Sequence, residues 1–502
     1  MTLIQGTDPR TGEPVGEAYA ATTPDELEQL LAAAAAAAPS YAASEPGVRA
    51  GLLRALADRL DENAAALAEL GSLESGLPLG RLTGEVGRTS GQLRLFATVV
   101  EEGSYLEATL DPAVPTATPP RPDLRRVLVS LGPVLVFGAS NFPLAFSVLG
   151  GDTASALACG SPVLAKVHDS HPGLSATVLD LAATVVAEQG LPAGVIGAVR
   201  GNDAALTALR DPRIKAAGFT GSTHVGRMLF DAASSRPDPI PFFGELGSIN
   251  PTIVTPSAVA ARGAAIVDGY VDSFTLGTGQ FCTKPGLLFL PRGHGLADAL
   301  AARVGAAAPA PLLNARIRTA LDDGVAALSA AATRLARGED APAEGSWASP
   351  SVFVTSAATV AADPTVTEEV FGPVSVVVEY DDLDDLAVAL RSVEGSLTAT
   401  LHVEDDDSLP LDELVGLVAA RAGRVLFNGW PTGVAVSWAQ THGGPWPSTT
   451  SAQHTSVGAT AIRRWLRPVT FQDAPDAVLP ASLRDANPWG LPRRLDGVLV
   501  LP

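Results

Sequence analysis

Cysteine occurs only twice in 502 residues, at Cys159 and Cys282. Two thiols cannot build a disulfide framework, so a reducing, cytoplasmic setting is expected. Basic charge is also scarce: 34 Lys and Arg face 54 Asp and Glu, a formal net charge of -20. That balance argues against nucleic acid and against an anionic membrane surface as partners. The acid excess is spread along the chain rather than gathered in a tail, which suits solubility. No apolar run is long enough to span a bilayer, and the longest alanine block, Ala32 to Ala38, ends at Pro39. Thr23-Pro24-Asp25-Glu26 ahead of that block is a capping box with proline at the first helical position, so the block reads as a helix. The opening residues lack the basic patch and apolar core of a secretory signal. His168 and His171 are three apart, but no Cys or Glu cluster completes a ligand set, and no metal is expected.

What is present suits a large globular protein. Hydrophobic residues make up 46% and charged residues 18% of the chain, enough to bury a sizeable core across two to four structural units. Roughly the first 110 residues read as helical, and a proline-rich linker runs from Pro112 to Pro122. Strand-like runs follow at Arg126–Ser130 and Val134–Phe137. From there short apolar strands alternate with helices: strands at Pro162–Lys166, Val195–Val199 and Ile214–Phe219, helices at Gly173–Glu188 and Thr223–Ser234. Such alternation predicts βαβ units and a parallel sheet, whose ligands bind at the carboxyl ends of the strands. Residues 260–440 show a similar alternation and predict a second α/β unit.

The chemistry-bearing candidates are few. Cys282 sits in Thr278-Gly279-Gln280-Phe281-Cys282-Thr283, among small and polar neighbours that imply a tight, accessible backbone. Cys159 closes a helix-like stretch and reads as a small core residue. Glu245 is bracketed by Gly244 and Gly247 in an apolar region. A lone thiol with a glycine-flanked carboxylate suggests covalent catalysis with a general base. Thr220-Gly221-Ser222-Thr223 opens a helix after a strand and presents backbone N–H groups. Arg227 and Met228 replace the lysine and hydroxyl of a P-loop, which leaves phosphate binding and an ordinary helix start equally open. Asn141, in Gly138-Ala139-Ser140-Asn141-Phe142-Pro143, is a turn residue or an oxyanion donor, with Pro143 placed to start a helix. Lys166 ends a buried strand, where a lysine either snorkels to water or meets an anion. Glu369 precedes Phe371-Gly372-Pro373; adjacent glutamates are usually a solvated turn, but a held carboxylate can grip two hydroxyls.

Together, Ala139–Pro143, Lys166, Phe219–Ser222, Glu245-Leu246-Gly247, Gly279–Cys282 and Glu369–Pro373 resemble, in order and spacing, the aldehyde dehydrogenase superfamily. The resemblance covers nearly the whole chain. A finer resemblance, carried by Gly91–Phe96, Ala145–Thr153, His442–Pro447, Leu466–Val469 and Asp485–Pro488, is to the 2,5-dioxovalerate (2-oxoglutarate semialdehyde) dehydrogenase branch, which includes NADP-using enzymes acting on other aliphatic aldehydes.

The resemblance implies an α/β fold with a Rossmann-like cofactor domain (1–115 and 132–246), an α/β catalytic domain (247–455), small β oligomerisation elements (116–131 and 456–475) and a C-terminal tail (476–502). It further implies a homodimer or homotetramer that oxidises an aldehyde with NADP or NAD. Cys282 would be the nucleophile, Asn141 and the Cys282 N–H the oxyanion donors, and Glu245 the base that activates water. Lys166 and Glu369 would contact the two riboses, with Phe371 beside Glu369, and Gly221 and Ser222 would lie under the pyrophosphate. Asp169 stands where NAD-preferring relatives carry glutamate, which predicts use of both cofactors. The favoured substrate is 2,5-dioxopentanoate. A carboxylated substrate needs a local cation, for which Arg125, Arg126, Arg262 and Arg292 are available; Trp430, Trp438 and Trp446 would instead line an apolar tunnel for longer aldehydes. A CoA-acylating enzyme and an inactive binding protein on the same fold are the remaining alternatives.

Overall fold

The structure, a computed structural model, describes residues 2–405, 407 and 409–502. The N-terminal region is not helical from its start. An antiparallel hairpin, Leu3–Thr7 with Pro14–Ala20, precedes the helices Pro24–Ala42, Pro46–Glu62, Ala64–Ser75 and Leu79–Glu102. The capping box forms as its residues require: Thr23 N–H donates to Glu26 Oε2 at 2.7 Å, and Glu26 N–H donates back to Thr23 Oγ1 at 3.3 Å.

Five parallel strands make the first large sheet, in the spatial order Ile196–Val199, Val163–Lys166, Val134–Phe137, Ala216–Thr220, Phe242–Glu245. Numbered along the chain, this is 3-2-1-4-5, the order of a dinucleotide-binding sheet, and its crevice opens between the strands that end at Phe137 and Thr220. The helices Pro172–Glu188 and Thr223–Ser234 form where expected. Pro143 does not start a helix. Residues 139–150 are a run of turns, and the helix begins only at Gly151. Glu85 Oε1 accepts from the N–H groups of Leu144 (2.9 Å) and Ala145 (3.0 Å), and Gln92 donates to the Ala145 carbonyl. Side chains of the Leu79–Glu102 helix thus satisfy backbone groups that a helix would otherwise have to pair.

The second large sheet has seven strands, ordered 333–337, 351–356, 374–380, 287–291, 251–254, 396–402, 422–427, all parallel except the first pair. A third sheet joins Leu124–Ser130 and Leu466–Gln472 antiparallel, and also takes in Thr109–Asp111, Arg493–Leu495 and Val498–Val500. It therefore draws on residues outside the two β segments that the resemblance implies, including the C-terminal tail. Its outer hairpin exposes Leu495, Val498, Leu499 and Val500.

Only residues 246–250 link the last strand of the first sheet to Pro251–Val254 of the second. Leu287–Pro291 pairs beside Pro251–Val254. The loop leaving one sheet and the loop entering the other must therefore meet at their junction. Glu245 ends the strand before the first loop, and Cys282 lies on the second.

Candidate active site

Cys282 follows three residues with positive φ, Gly277 (56°), Thr278 (59°) and Gly279 (66°). At Gly279 a side chain would collide with the Gly372 carbonyl, so glycine is required there. The turn packs on the Phe371-Gly372-Pro373 run as a result. Asn250, itself at φ 52°, fixes the backbone of the Cys282 turn. Its Nδ2 lies 2.8 Å from the Cys282 carbonyl and 3.0 Å from that of Lys284, while its Oδ1 accepts from Thr398 N–H at 3.1 Å. Lys284, fully buried, donates Nζ to the carbonyls of Val370, Gly372 and Val374 and ties the Glu369 segment to the same loop.

The thiol is half-buried rather than openly accessible. Its pKa is pushed up to about 12, by burial first and then by Glu245 and Glu369, with Arg88 opposing. The protein thus keeps the thiol protonated, because the field of one guanidinium does not offset desolvation and two carboxylates. His442 Nε2 lies 3.5 Å from Sγ. Burial, with Arg424 and Arg88 adding to it, pushes this imidazole down to about 3, so it stands neutral beside the thiol.

Glu245 ends its strand fully inside the protein, at 7% exposure. Burial raises its carboxyl well above the ordinary range; Arg464 opposes this, Asp152 adds to it, and a hydrogen bond with the Thr449 hydroxyl lowers it. Oε2 has no partner. The strand end is braced by Leu246 N–H to the Ser448 carbonyl (2.8 Å) and Gly244 N–H to Thr450 Oγ1 (2.8 Å). A buried carboxyl of raised pKa with one free oxygen has the properties of a general base. Asn141 is buried at the end of the central strand's turn, and its Nδ2 donates to the Gln280 carbonyl at 3.0 Å, two residues before Cys282. One amide hydrogen is used there, and the second has no partner among the described residues.

The expected cofactor residues separate into two groups. At the carboxyl end of its strand, Lys166 meets exposed Asp169, Nζ to Oδ1 3.0 Å. Gly221 and Ser222 are exposed at the start of helix Thr223–Ser234, where Ser222 caps by accepting from Val225 N–H. Gly221 N–H donates to the Glu245 carbonyl and Thr223 Oγ1 accepts from Gly247 N–H, which joins this turn to the Glu245 strand end. Glu369 Oε2 accepts from Ser248 N–H at 3.1 Å, and a Cβ on Gly247 would meet it at 2.6 Å. Burial raises the Glu369 carboxyl and lowers the Lys284 ammonium, each offsetting the other. Phe371 is half-buried beside them. The exposed helix start at Gly221 and Ser222, the Lys166 ammonium at a strand end and the Glu369 carboxylate could hold a dinucleotide. Among the described residues, no group of three or more His, Cys, Asp or Glu is placed to hold a metal ion, and no helix is long and apolar enough to cross a membrane.

None of the four arginines singled out from the sequence is free for a substrate carboxylate. Arg125 pairs with Asp123, Asp476 and Asp485, Arg126 faces Glu107, Arg262 pairs with Glu404, and Arg292 with Asp381. The tryptophans form no tunnel: Trp438 and Trp446 are exposed, and Trp430 packs on His402 and Tyr270. The rings gathered near Cys282 are instead Phe142, Phe146 and Phe281. Arg81 covers Phe142 and Phe281 at 4.9 and 4.8 Å, and Arg88 covers Phe142 and Phe146 at 5.4 and 5.2 Å.

Residues 2–468 match the model of the aldehyde dehydrogenase family. The chain is 45% identical over 503 residues to alpha-ketoglutaric semialdehyde dehydrogenase 2 of Azospirillum brasilense, covering 98% of this chain and 96% of the relative. It is 41% identical over 494 residues to alpha-ketoglutaric semialdehyde dehydrogenase of Acinetobacter baylyi, covering 97% and 94%. Among solved structures, an aldehyde dehydrogenase from Brucella melitensis biovar abortus superposes with a TM-score of 0.78 at 24% identity, covering 94% of each chain. PnpE in complex with nicotinamide adenine dinucleotide gives 0.78 at 24% identity, covering 96% of each.

Proposed function

Because the chain belongs to the aldehyde dehydrogenase family, NAD(P)-dependent oxidoreductases that act on aldehydes, we propose that it oxidises 2,5-dioxopentanoate to 2-oxoglutarate through a thioester on Cys282. The observation that carries this reading is the convergence of Cys282, neutral His442 and the free oxygen of buried Glu245 at the junction of the two sheets.

Cys282 gives its proton to solvent water as Sγ attacks the aldehyde carbon, and the carbonyl electron pair moves to oxygen to give a thiohemiacetal. Its backbone N–H and the second amide hydrogen of Asn141 receive the oxyanion; a donor of this kind is worth about 3 kcal/mol. When bound, NAD(P) supplies the acceptor for the departing hydride. Lys166 and Asp169 would hold its adenosine ribose, Gly221 and Ser222 its pyrophosphate, and Glu369 and Phe371 its nicotinamide end. Glu245 then takes a proton from water, which cleaves the thioester on Cys282 and releases the acid. His442 Nε2 shares a hydrogen bond with the thiol and would orient Sγ between turnovers. With a carboxylate in place to activate water, no CoA acceptor is required.

Residues 1–115 and 132–246 would carry the cofactor and 247–455 the catalytic sheet. The third sheet, with 116–131 and 456–475 at its centre, would join copies into a homodimer or homotetramer, which its exposed apolar hairpin favours. Both cysteines are free, in keeping with work in the reducing cytoplasm.

The test is NAD(P)H formation from 2,5-dioxopentanoate with no CoA present. Turnover with kcat/KM at least about tenfold above that for hexanal is expected. Equal values would favour the other reading, a broad aliphatic aldehyde dehydrogenase, to which the three phenylalanines point. A strict requirement for CoA would overturn the water mechanism.

Asp169 carries a second prediction. Its carboxylate repels a 2′-phosphate, but Lys166 at 3.0 Å balances that charge. NAD and NADP are therefore expected to give kcat/KM values within about a hundredfold of each other. Asp169→Asn should move the ratio toward NADP by several-fold. A wild-type ratio beyond a hundredfold, or an unmoved ratio in the variant, contradicts this.

A further inference from the structure

Beside the nucleophile the chain keeps guanidinium donors that no residue uses. Arg88, on helix Leu79–Glu102, lies over Phe146 at 5.2 Å, and that ring is 6.3 Å from His442, whose Nε2 is 3.5 Å from Cys282 Sγ. Nε and Nη2 of Arg88 are buried without a hydrogen-bond partner, and the residue makes no ion pair among the described residues. Those two nitrogens share one edge of the guanidinium, the edge that presents parallel N–H bonds to both oxygens of a carboxylate. Glu85, one turn earlier, does not fill it: its Oε1 is taken by the Leu144 and Ala145 N–H groups, and its Oε2 makes no hydrogen bond.

Two other guanidiniums lie nearby, Arg424 by Cys282 and His442 and Arg81 by Asn141 and Glu85. Arg424 donates both Nη groups to the Pro431 and Gly433 carbonyls and leaves Nε buried and unpartnered. Gly423 beside it packs directly on the Gly443 carbonyl, next to His442. Arg81 donates Nη2 to the Asn141 carbonyl and leaves Nη1 unpartnered. The charges of Arg81 and Arg88 thus face Glu85 and those of Arg88 and Arg424 face Cys282, to which Glu245 and Glu369 bring negative charge. Arg88 and Arg424 bring positive charge to Cys282 in a chain whose formal net charge is -20. Buried N–H groups left unpaired are costly, and an arginine edge held open at a reacting centre marks a place for a ligand anion.

We propose that Arg88 is the substrate-carboxylate residue, its Nε–Nη2 edge receiving the carboxylate of an oxo acid whose aldehyde carbon rests at Cys282, with Arg424 as a second cation beside it. Phe142 and Phe146 hold the guanidinium flat and line the methylene portion of the substrate. The assignment rests on the proposed reaction and specifies how that site would select an acidic aldehyde over a neutral one.

The experiment compares steady-state kinetics of the wild type, Arg88→Met and Arg88→Lys on 2,5-dioxopentanoate and on hexanal, with 2-oxoglutarate as inhibitor of hexanal oxidation. In Arg88→Met the ratio of kcat/KM, oxo acid to hexanal, should fall by about tenfold to a hundredfold through KM, and inhibition by 2-oxoglutarate should weaken in parallel. Arg88→Lys should recover part of the ratio, because it keeps the charge and loses the fork. If the wild type prefers the oxo acid and Arg88→Met leaves the ratio unmoved, whatever its absolute rates, the assignment of Arg88 is overturned and the reaction stands. If the wild type shows no preference, the substrate reading falls and the carboxylate site with it.

Discussion

Cys282→Ala is expected to lower kcat/KM for every aldehyde by at least about 10⁴-fold, the scale seen when a covalent nucleophile is removed from its site. No other group can take its place. Cys159, the remaining thiol, is fully buried, donates Sγ–H to the Ala156 carbonyl and is pushed up to about 11 by burial. The variant should nevertheless fold. The turn that carries residue 282 is held by Asn250 through backbone carbonyls and by Gly279 against Gly372, and neither contact uses the thiol. Only the 3.5 Å contact with His442 is lost. Stopped-flow assays beside thermal melts would check both points. More than about one per cent residual activity in a well-folded variant would contradict the assignment.

Glu245→Gln should separate the two halves of the cycle. Acylation of Cys282 needs no activated water, so one equivalent of NAD(P)H per site should form rapidly. Hydrolysis should then slow by about 10²- to 10⁴-fold, the range for loss of a general base. The pH dependence follows from burial, which raises the Glu245 carboxyl far above the ordinary range. The base works only without its proton, so wild-type deacylation should climb with pH through that raised pKa, and the climb should vanish in Glu245→Gln. Stability carries the same signature with its own sign. The folded protein holds a proton that the unfolded chain releases, so the Glu245 contribution is present below the ordinary carboxylate pKa and is lost as pH rises through the folded value. At alkaline pH, Glu245→Gln should therefore melt above the wild type. A variant without a burst, or with the wild-type pH profile, would contradict the role given to Glu245.

Much of this was legible because strand and turn signals are local. Short apolar runs closed by glycine turns, such as Val134–Phe137 and Ala216–Thr220, carry their pattern within a few residues, and Cys282, Glu245, Asn141 and Lys166 stand at their ends. What was not legible depends on distant partners. The turns at 139–150 look like a helix start until Glu85, some 60 positions earlier, satisfies their N–H groups. The hairpin Leu3–Ala20 is too short for its alternation to outweigh the helices that follow it.

The pocket arginines did leave a trace. Arg81, Glu85, Arg88 and Gln92 recur at steps of four, three and four, one face of a helix, in register with buried Leu82, Val86 and Leu93. A polar stripe on a face that otherwise buries leucine and valine is a signal in itself. His442 stood within a run that matches the family, yet only the fold brings it to the thiol, because 160 positions separate them. Asn250 shows its role only through the carbonyls of Cys282 and Lys284, which no local pattern links to it.

The most direct test of the central claim is the intact and peptide mass of Glu245→Gln, quenched after mixing with NAD(P) and 2,5-dioxopentanoate. The account predicts one 2-oxoglutaryl group in thioester linkage to the peptide containing Cys282, in step with one reduced nicotinamide per chain. Reduced nicotinamide formed while Cys282 stays unmodified would contradict it.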